Sequence, residues 1–424
     1  MKIEALNKIA NSDVKRLFAN FISLLVLQGA NYILPLLILP YLIRTIGVEN
    51  FGILSFAEAT ITYFMIITDY GFNSTATRWI SVNRDNKQKV TEIFSAVLTA
   101  KFLLMFLSAI ILIILLFISD RFYEHKEVYI FTFGMVIGQV LFPTWFFQGY
   151  EKMKYIAYLN TILKILSTVS IFIFVTEQSD FYIVPILNAM GTIIAGIWSF
   201  FIIKKDFGIS FRFQSIDKVI FYLKDGWHLF LSTIAVVMYT STNIVILGVI
   251  SSDHSLVGHY SIAEKIIMIT AAFGSLIDRA IFPHFSKIWI NSKEEYYHKF
   301  NKILILLISI MSIFTIFLYF FNEFIIFIVA GEKITLSANI LAILAFAIIF
   351  MPLGSLYSNS FVIQQKSIYV TKVTIMTMIF NLLLVPLLTW KYSIYGMAYG
   401  VVLVNMFHIF LNVFYFNRIK SKDF

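Results

Sequence analysis

The chain has 424 residues, of which 59% are hydrophobic and only 13% charged, and its formal net charge is +9. Soluble domains carry charge on about a quarter of their residues, so composition excludes a soluble globular protein and points to an integral membrane protein. The apolar runs are long and rich in Ile, Leu and Phe, which excludes the short alternating segments of a β-barrel, and cysteine is absent, which excludes disulfides and thiol chemistry.

In chain order, twelve segments are each about long enough to cross ~30 Å of hydrocarbon as a helix. They are 17–42, 51–70, 91–118, 128–149, 155–175, 182–203, 226–250, 258–280, 301–321, 336–358, 368–389 and 393–416. The short apolar piece 323–330, "EFIIFIVA", reads as an interfacial or re-entrant turn. The first segment is too long for a signal peptide and lacks a small-residue cleavage site, so it is expected to stay.

Placing the N-terminus inside puts 25 of the 33 Lys and Arg residues in cytoplasmic segments, five on the opposite side and three (Lys101, Lys164, Lys265) within spans. This is a strong positive-inside bias. It accounts for the basic balance as an orientation device, so nucleic acid is not an expected partner.

The basic, amphipathic segment 204–225 divides the chain into an N-terminal lobe (1–203) and a C-terminal lobe (226–424), six spans each. Six is even, so both halves enter from the same side and a repeat would be a parallel one. One window supports it. "GILSFAEATI" (52–61) and "GHYSIAEKII" (258–267) share Gly, Ser, Ala, Glu and Ile at a constant offset of 206 residues, pairing Gly52 with Gly258 and Glu58 with Glu264.

Span 4 ends "FPTWFFQGYEKMKYI" (142–156) and span 2 ends "DYGFNSTATRWIS" (69–81). Both resemble signature segments of Wzx-type polysaccharide flippases, in the superfamily shared with MATE exporters and the lipid II flippase. Length, spans, inside termini and the six-plus-six division resemble that family across nearly the whole chain. The resemblance implies an all-α, MATE-like architecture of twelve transmembrane helices, two six-helix lobes around a central cavity faced by spans 1, 2, 7 and 8. The cargo it implies is an undecaprenyl-diphosphate-linked oligosaccharide, moved from the cytoplasmic to the periplasmic leaflet of the bacterial inner membrane by alternating access. It also implies a polysaccharide polymerase and a chain-length regulator as partners, and no enzyme activity. Family members differ in the charges lining the cavity, so no fixed residue set carries over.

Physics must choose the candidates. Lys101 and Lys164 lie about 15 Å deep at 1.5 Å per residue, and Lys265 about 10 Å. Each either offers a cationic site for cargo phosphate or bonds to backbone within its lobe. Glu58 and Glu264 sit at matched depth and suggest a gate, with Lys265 pairing across to Glu58, or coupling to H+ or Na+; the bland alternative is a glutamate held within its own lobe. Asp69, Arg78, Asp278 and Arg279, at the cytoplasmic ends of spans 2 and 8, form an inner gate or sit solvated. Gln28, Asn31 and Asn243 are placed to bond sugars or to join helices. The aromatics Trp145, Phe146 and Phe147 fall where interfacial belts are ordinary, and Gly134/Gly138 and Gly396/Gly400 read as packing pairs.

No nucleotide-binding loop, H-E-x-x-H or other metal-ligand spacing occurs, so no cofactor or metal is expected. The outer segments are short, which disfavours the rival class, a membrane polymerase or transferase of glycan assembly. The rival within transporters is a MATE-like multidrug or cation antiporter, which should display acids in an apolar pocket. Three mid-depth lysines against two glutamates point instead to an anionic cargo.

Overall fold

The structure is a computed structural model that describes the backbone of residues 2–251 and 253–423 and the side chains of 29, 33–251, 253–274, 277–278 and 281–421. Among the described residues there are no strands. The helices are α1 (Lys2–Asp69), α2 (Phe72–Asn83), α3 (Lys87–Ile118), α4 (Asp120–Glu124), α5 (Lys126–Leu141), α6 (Thr144–Gly149), α7 (Met153–Phe174) and α8 (Ile183–Ile202). They continue as α9 (Ile216–Thr240), α10 (Thr242–Ile250), α11 (His254–Asn291), α12 (Lys293–Phe320), α13 (Asn322–Ala330), α14 (Thr335–Ala345), α15 (Ala347–Ile363) and α16 (Ile368–Asp423).

Among the described residues nine helical stretches are long and apolar enough to cross a membrane, or ten when α9 and α10, bent by 52°, count as one. Two helices contain a break. Gly47 in α1 (φ 80°, ψ 168°) takes a conformation that only glycine adopts readily, and Ser393 in α16 has φ 53° and ψ −139°. The twelve expected spans are reached only when each break separates two of them. The piece 323–330 falls in α13, whose nine residues rise only about 14 Å, too short to span. Its C-terminal carbonyl end is held by the Arg44 guanidinium, which donates to the Ile328 carbonyl, and Gly331 closes it with φ 80°.

By compactness the chain divides into two units: Met1–Ile38 with Thr60–Thr233, and Leu39–Ala59 with Ile234–Phe424. The first has an aromatic core. Trp145, Phe146 and Phe147 are fully buried, with Phe146 edge-on to Phe94 at 5.6 Å and to Phe207 at 5.1 Å between ring centroids. The interfacial-belt reading of these rings is therefore corrected: they face protein, because α6 is a short turn tucked against α2. The packing glycines also earn their place. A Cβ at Gly134 would lie 2.6 Å from that of Ala189, and one at Gly138 2.3 Å from Thr192 Oγ1, so α5 and α8 pack nearly backbone to backbone.

The second unit has its own aromatic cluster, in which Phe300 stacks on Phe416 at 4.5 Å and Tyr357 closes on both. In the same unit the two similar sequence windows touch. A Cβ at Gly52 would lie 2.1 Å from the His254 carbonyl oxygen, and a Cβ at Gly258 2.0 Å from that of Val48. Residues 48 and 254, like 52 and 258, are 206 apart, so the contact is reciprocal, as at a two-fold interface.

Candidate functional site: a polar cavity and its flanking charges

A cavity of about 280 Å³ opens inside the second unit, walled by α9, α10, α11, α14, α15 and α16. Its wall surface is apolar for the most part, with Tyr239, Thr240, Asn243, Tyr260, Glu264, Ser355, Ser358, Asn381, Asn405 and His408 as the polar members. Local structure places them. The bend between α9 and α10 turns Asn243 inward, where its Oδ1 accepts from Asn381 Nδ2 at 3.1 Å. Asn381 is fully buried and its own Oδ1 has no hydrogen-bond partner among the described residues. Such an acceptor is costly to leave unmade in a dry interior, so it presents a ready site for a donor or a cation.

The His408 ring stacks on Tyr239 at 5.7 Å, and its Nδ1 meets Thr377 Oγ1 at 3.1 Å. It fits only because residue 354 is glycine, where a Cβ would lie 2.8 Å from the imidazole. Ser355, on the same wall, donates to the Asp278 carboxylate, which also accepts from Asn359 Nδ2 at 2.6 Å. Asp278 is buried, so a second carboxylate stands one side chain behind the cavity wall rather than solvated at a helix end.

Glu264 and Lys265 separate because consecutive helix residues point about 100° apart. Glu264 opens into the cavity beside Tyr260. Lys265 leaves it, lying over the Phe51 ring at 4.9 Å with Nζ 3.7 Å from Glu58 Oε2. Both members of that pair are partly exposed, at 35% and 41%.

The remaining candidates lie in the first unit. Lys101, only 2% exposed, points its Nζ to Asp69 Oδ1 at 3.9 Å. The depths assigned to the two from sequence differ, but an extended lysine spans several ångströms and reaches toward the span end. Arg78 and the Trp79 indole both donate to Asp225, at 2.8 and 2.9 Å, which ties α2 to the start of α9. Asp225→Ala is expected to lower the stability of the solubilised protein by roughly 1 kcal/mol, read as a fall in unfolding temperature. Asp225→Asn, which keeps an acceptor for Trp79, should lose less. Lys164 is half-buried on α7. Gln28, Asn31 and Arg279 lie outside the described side chains.

Among the described residues, then, Asn243 and Glu264 are the sequence candidates that meet at the cavity, and no described Lys or Arg lines it. Tyr239, Asn381, Asn405 and His408 were not singled out from sequence. A signal existed: Asn405, His408 and Asn412 form one polar stripe on an otherwise apolar spanning helix.

The family described as polysaccharide biosynthesis protein matches residues 17–289. A relative from Escherichia coli K12 named "Putative O-antigen transporter" is 37% identical over 277 residues, covering 65% of this chain and 66% of its own length. A Shigella dysenteriae relative of the same name is 27% identical over 386 residues, 90% of this chain and 95% of its own. Among solved structures, the lipid II flippase MurJ in an inward closed conformation superposes with a TM-score of 0.72 at 15% identity, covering 93% of this chain and 87% of its own. An inward-facing MATE-family multidrug transporter of the MOP superfamily gives 0.72 at 15% identity, covering 91% and 94%. These two likenesses show the fold alone, an all-helical architecture shared with both. With its family match running over more than half of its length, the chain belongs to the polysaccharide biosynthesis protein family.

Proposed function

We propose that this chain is a flippase, not an enzyme, that turns lipid-linked oligosaccharide repeat units from one leaflet of the membrane to the other. The observation that carries the reading is the family match together with relatives named for O-antigen transport. The finer reading is that the cargo is undecaprenyl-diphosphate-linked, the membrane the bacterial inner membrane, and both termini cytoplasmic. Lobes 1–203 and 226–424 alternate access around segment 204–225, and a polymerase and a chain-length regulator receive the product. Deleting the gene should make one lipid-linked glycan accumulate on the cytoplasmic face. Drug sensitivity with no glycan defect would favour the multidrug reading instead, which the carboxylate of Glu264 in a mostly apolar cavity keeps specific.

Coupling to H+ or Na+ belongs to the same proposal, with Glu264 as the coupling group and the Asn243–Asn381 pair as its neighbours. Glu264→Gln is expected to reduce cation-driven transport in proteoliposomes on the order of tenfold. Glu58→Gln, which removes only a part-exposed pair, should change it far less. Gradient-driven transport unchanged in Glu264→Gln would remove Glu264 from the mechanism. Lys101, Lys164 and Lys265 remain the candidates for cargo phosphate, with Asp69 and Arg78 as gate residues. For Lys101 and Lys265 an anion would have to compete with Asp69 and Glu58.

A further inference from the structure

Between the spanning stretch Gln178–Phe207 and the bent pair Ile216–Thr240 and Thr242–Ile250 runs a segment that is neither helical nor apolar enough to enter a bilayer, "GISFRFQS", 208–215. It leaves α8 through one π-helical turn, 203–207, and a glycine at φ 62°, Gly208. It is nevertheless held firmly. Ile209 is buried in the first unit's core, the Arg212 amide donates to Ser95 Oγ at 3.0 Å, and Val219 and Tyr222 anchor the helix that follows. What this fixed segment displays is unusual for a loop. Phe213 is 93% exposed and packs edge-on to Phe211 at 5.3 Å, so two aromatic rings stand together off the protein surface outside any span.

The charges around the rings are one-sided. Lys204, Lys205 and Arg212 are exposed and join no ion pair among the described residues. Of the nearby acids, Asp206 accepts from the Tyr155 hydroxyl at 2.8 Å and Asp217 opens α9. Lys218 differs, being held by Glu92 at 2.8 Å.

We propose that segment 204–213 is an anchor for anionic phospholipid, with Phe211 and Phe213 set among the headgroups and Lys204, Lys205 and Arg212 on lipid phosphates. An exposed aromatic pair has apolar area to remove from water and tolerates the polar boundary. Basic side chains beside it draw the segment to a negative surface, each strengthening the association by about fivefold. Rigid attachment through Ile209 and Ser95 means that little ordering entropy opposes contact. The inference rests on this segment's own chemistry and stands apart from the transported cargo.

The chain has no cysteine, so Ser210→Cys provides a single attachment point for a nitroxide label on an exposed side chain of the same segment and leaves both phenylalanines in place. The labelled protein is reconstituted in vesicles of phosphatidylcholine alone or with phosphatidylglycerol, and collision with oxygen and with a water-soluble nickel chelate is measured. The expected result is shielding from the chelate and exposure to oxygen in the phosphatidylglycerol vesicles. Shielding should be lost in phosphatidylcholine alone and in Lys204→Gln/Lys205→Gln/Arg212→Gln, whose three lost charges weaken association about a hundredfold. A label open to the chelate in both lipids overturns the anchor. A label shielded equally in both, or insensitive to the triple substitution, overturns the recognition of anionic lipid and points to burial against protein.

Discussion

Gly258→Ala is expected to destabilise the protein by about 3 kcal/mol or more, the upper range for overpacking, and Gly52→Ala to do the same. Both glycines are helical, so propensity alone would make alanine the better residue by about 1 kcal/mol. The contact reverses the sign. The added methyl would sit 2.0 Å from the Val48 carbonyl oxygen in one case and 2.1 Å from that of His254 in the other, and these are backbone atoms that no rotamer change can move. The two helices must separate, and Ser55, Ala57, Ser261 and Ala263, buried along the same pair, lose their contacts too. Gly29→Ala is the control, since nothing among the described residues lies within 4 Å of a Cβ there, and should be neutral or mildly stabilising. Unfolding temperature in detergent reads all three. A Gly258→Ala protein as stable as the parent would show that the helices do not cross so closely.

Lys101→Met should be as damaging for a different reason. The ammonium group is 2% exposed, and its removal leaves the Asp69 carboxylate without its charge partner in a low-dielectric setting. Breaking such a pair costs about 3–5 kcal/mol, whereas replacing both members is often neutral. The double variant Lys101→Met/Asp69→Asn should therefore recover most of the lost stability. It also separates two roles. If the recovered protein transports normally, the pair serves the fold alone; if it folds and fails to transport, the Lys101–Asp69 pair acts in transport itself.

Much of the architecture was legible in the sequence, because bilayer thickness imposes a length on every span and because breaks need particular residues. Segment limits 42/51 bracket the break at Gly47, and 389/393 meet the break at Ser393. The positive segment 204–225 and the short piece 323–330 were visible as departures from that length. The site was less legible. Matched depth suggested Lys265 pairing across to Glu58, and the two do lie 3.7 Å apart, but nothing in the sequence told that the turn of the helix sends Glu264 into the cavity instead. The Lys101–Asp69 and Asn243–Asn381 pairs join residues far apart in the chain, and hydropathy carries no information on which polar groups face each other. Trp145 illustrates the opposite error: aromatic residues at a span end resemble a belt, and only packing against Phe94 reveals a core.

The reciprocal crossing of 48–52 with 254–258 bears on how this chain can change over time. At a self-complementary seam each position is its own counterpart's environment, so a substitution tolerated on one side must be tolerated against the other.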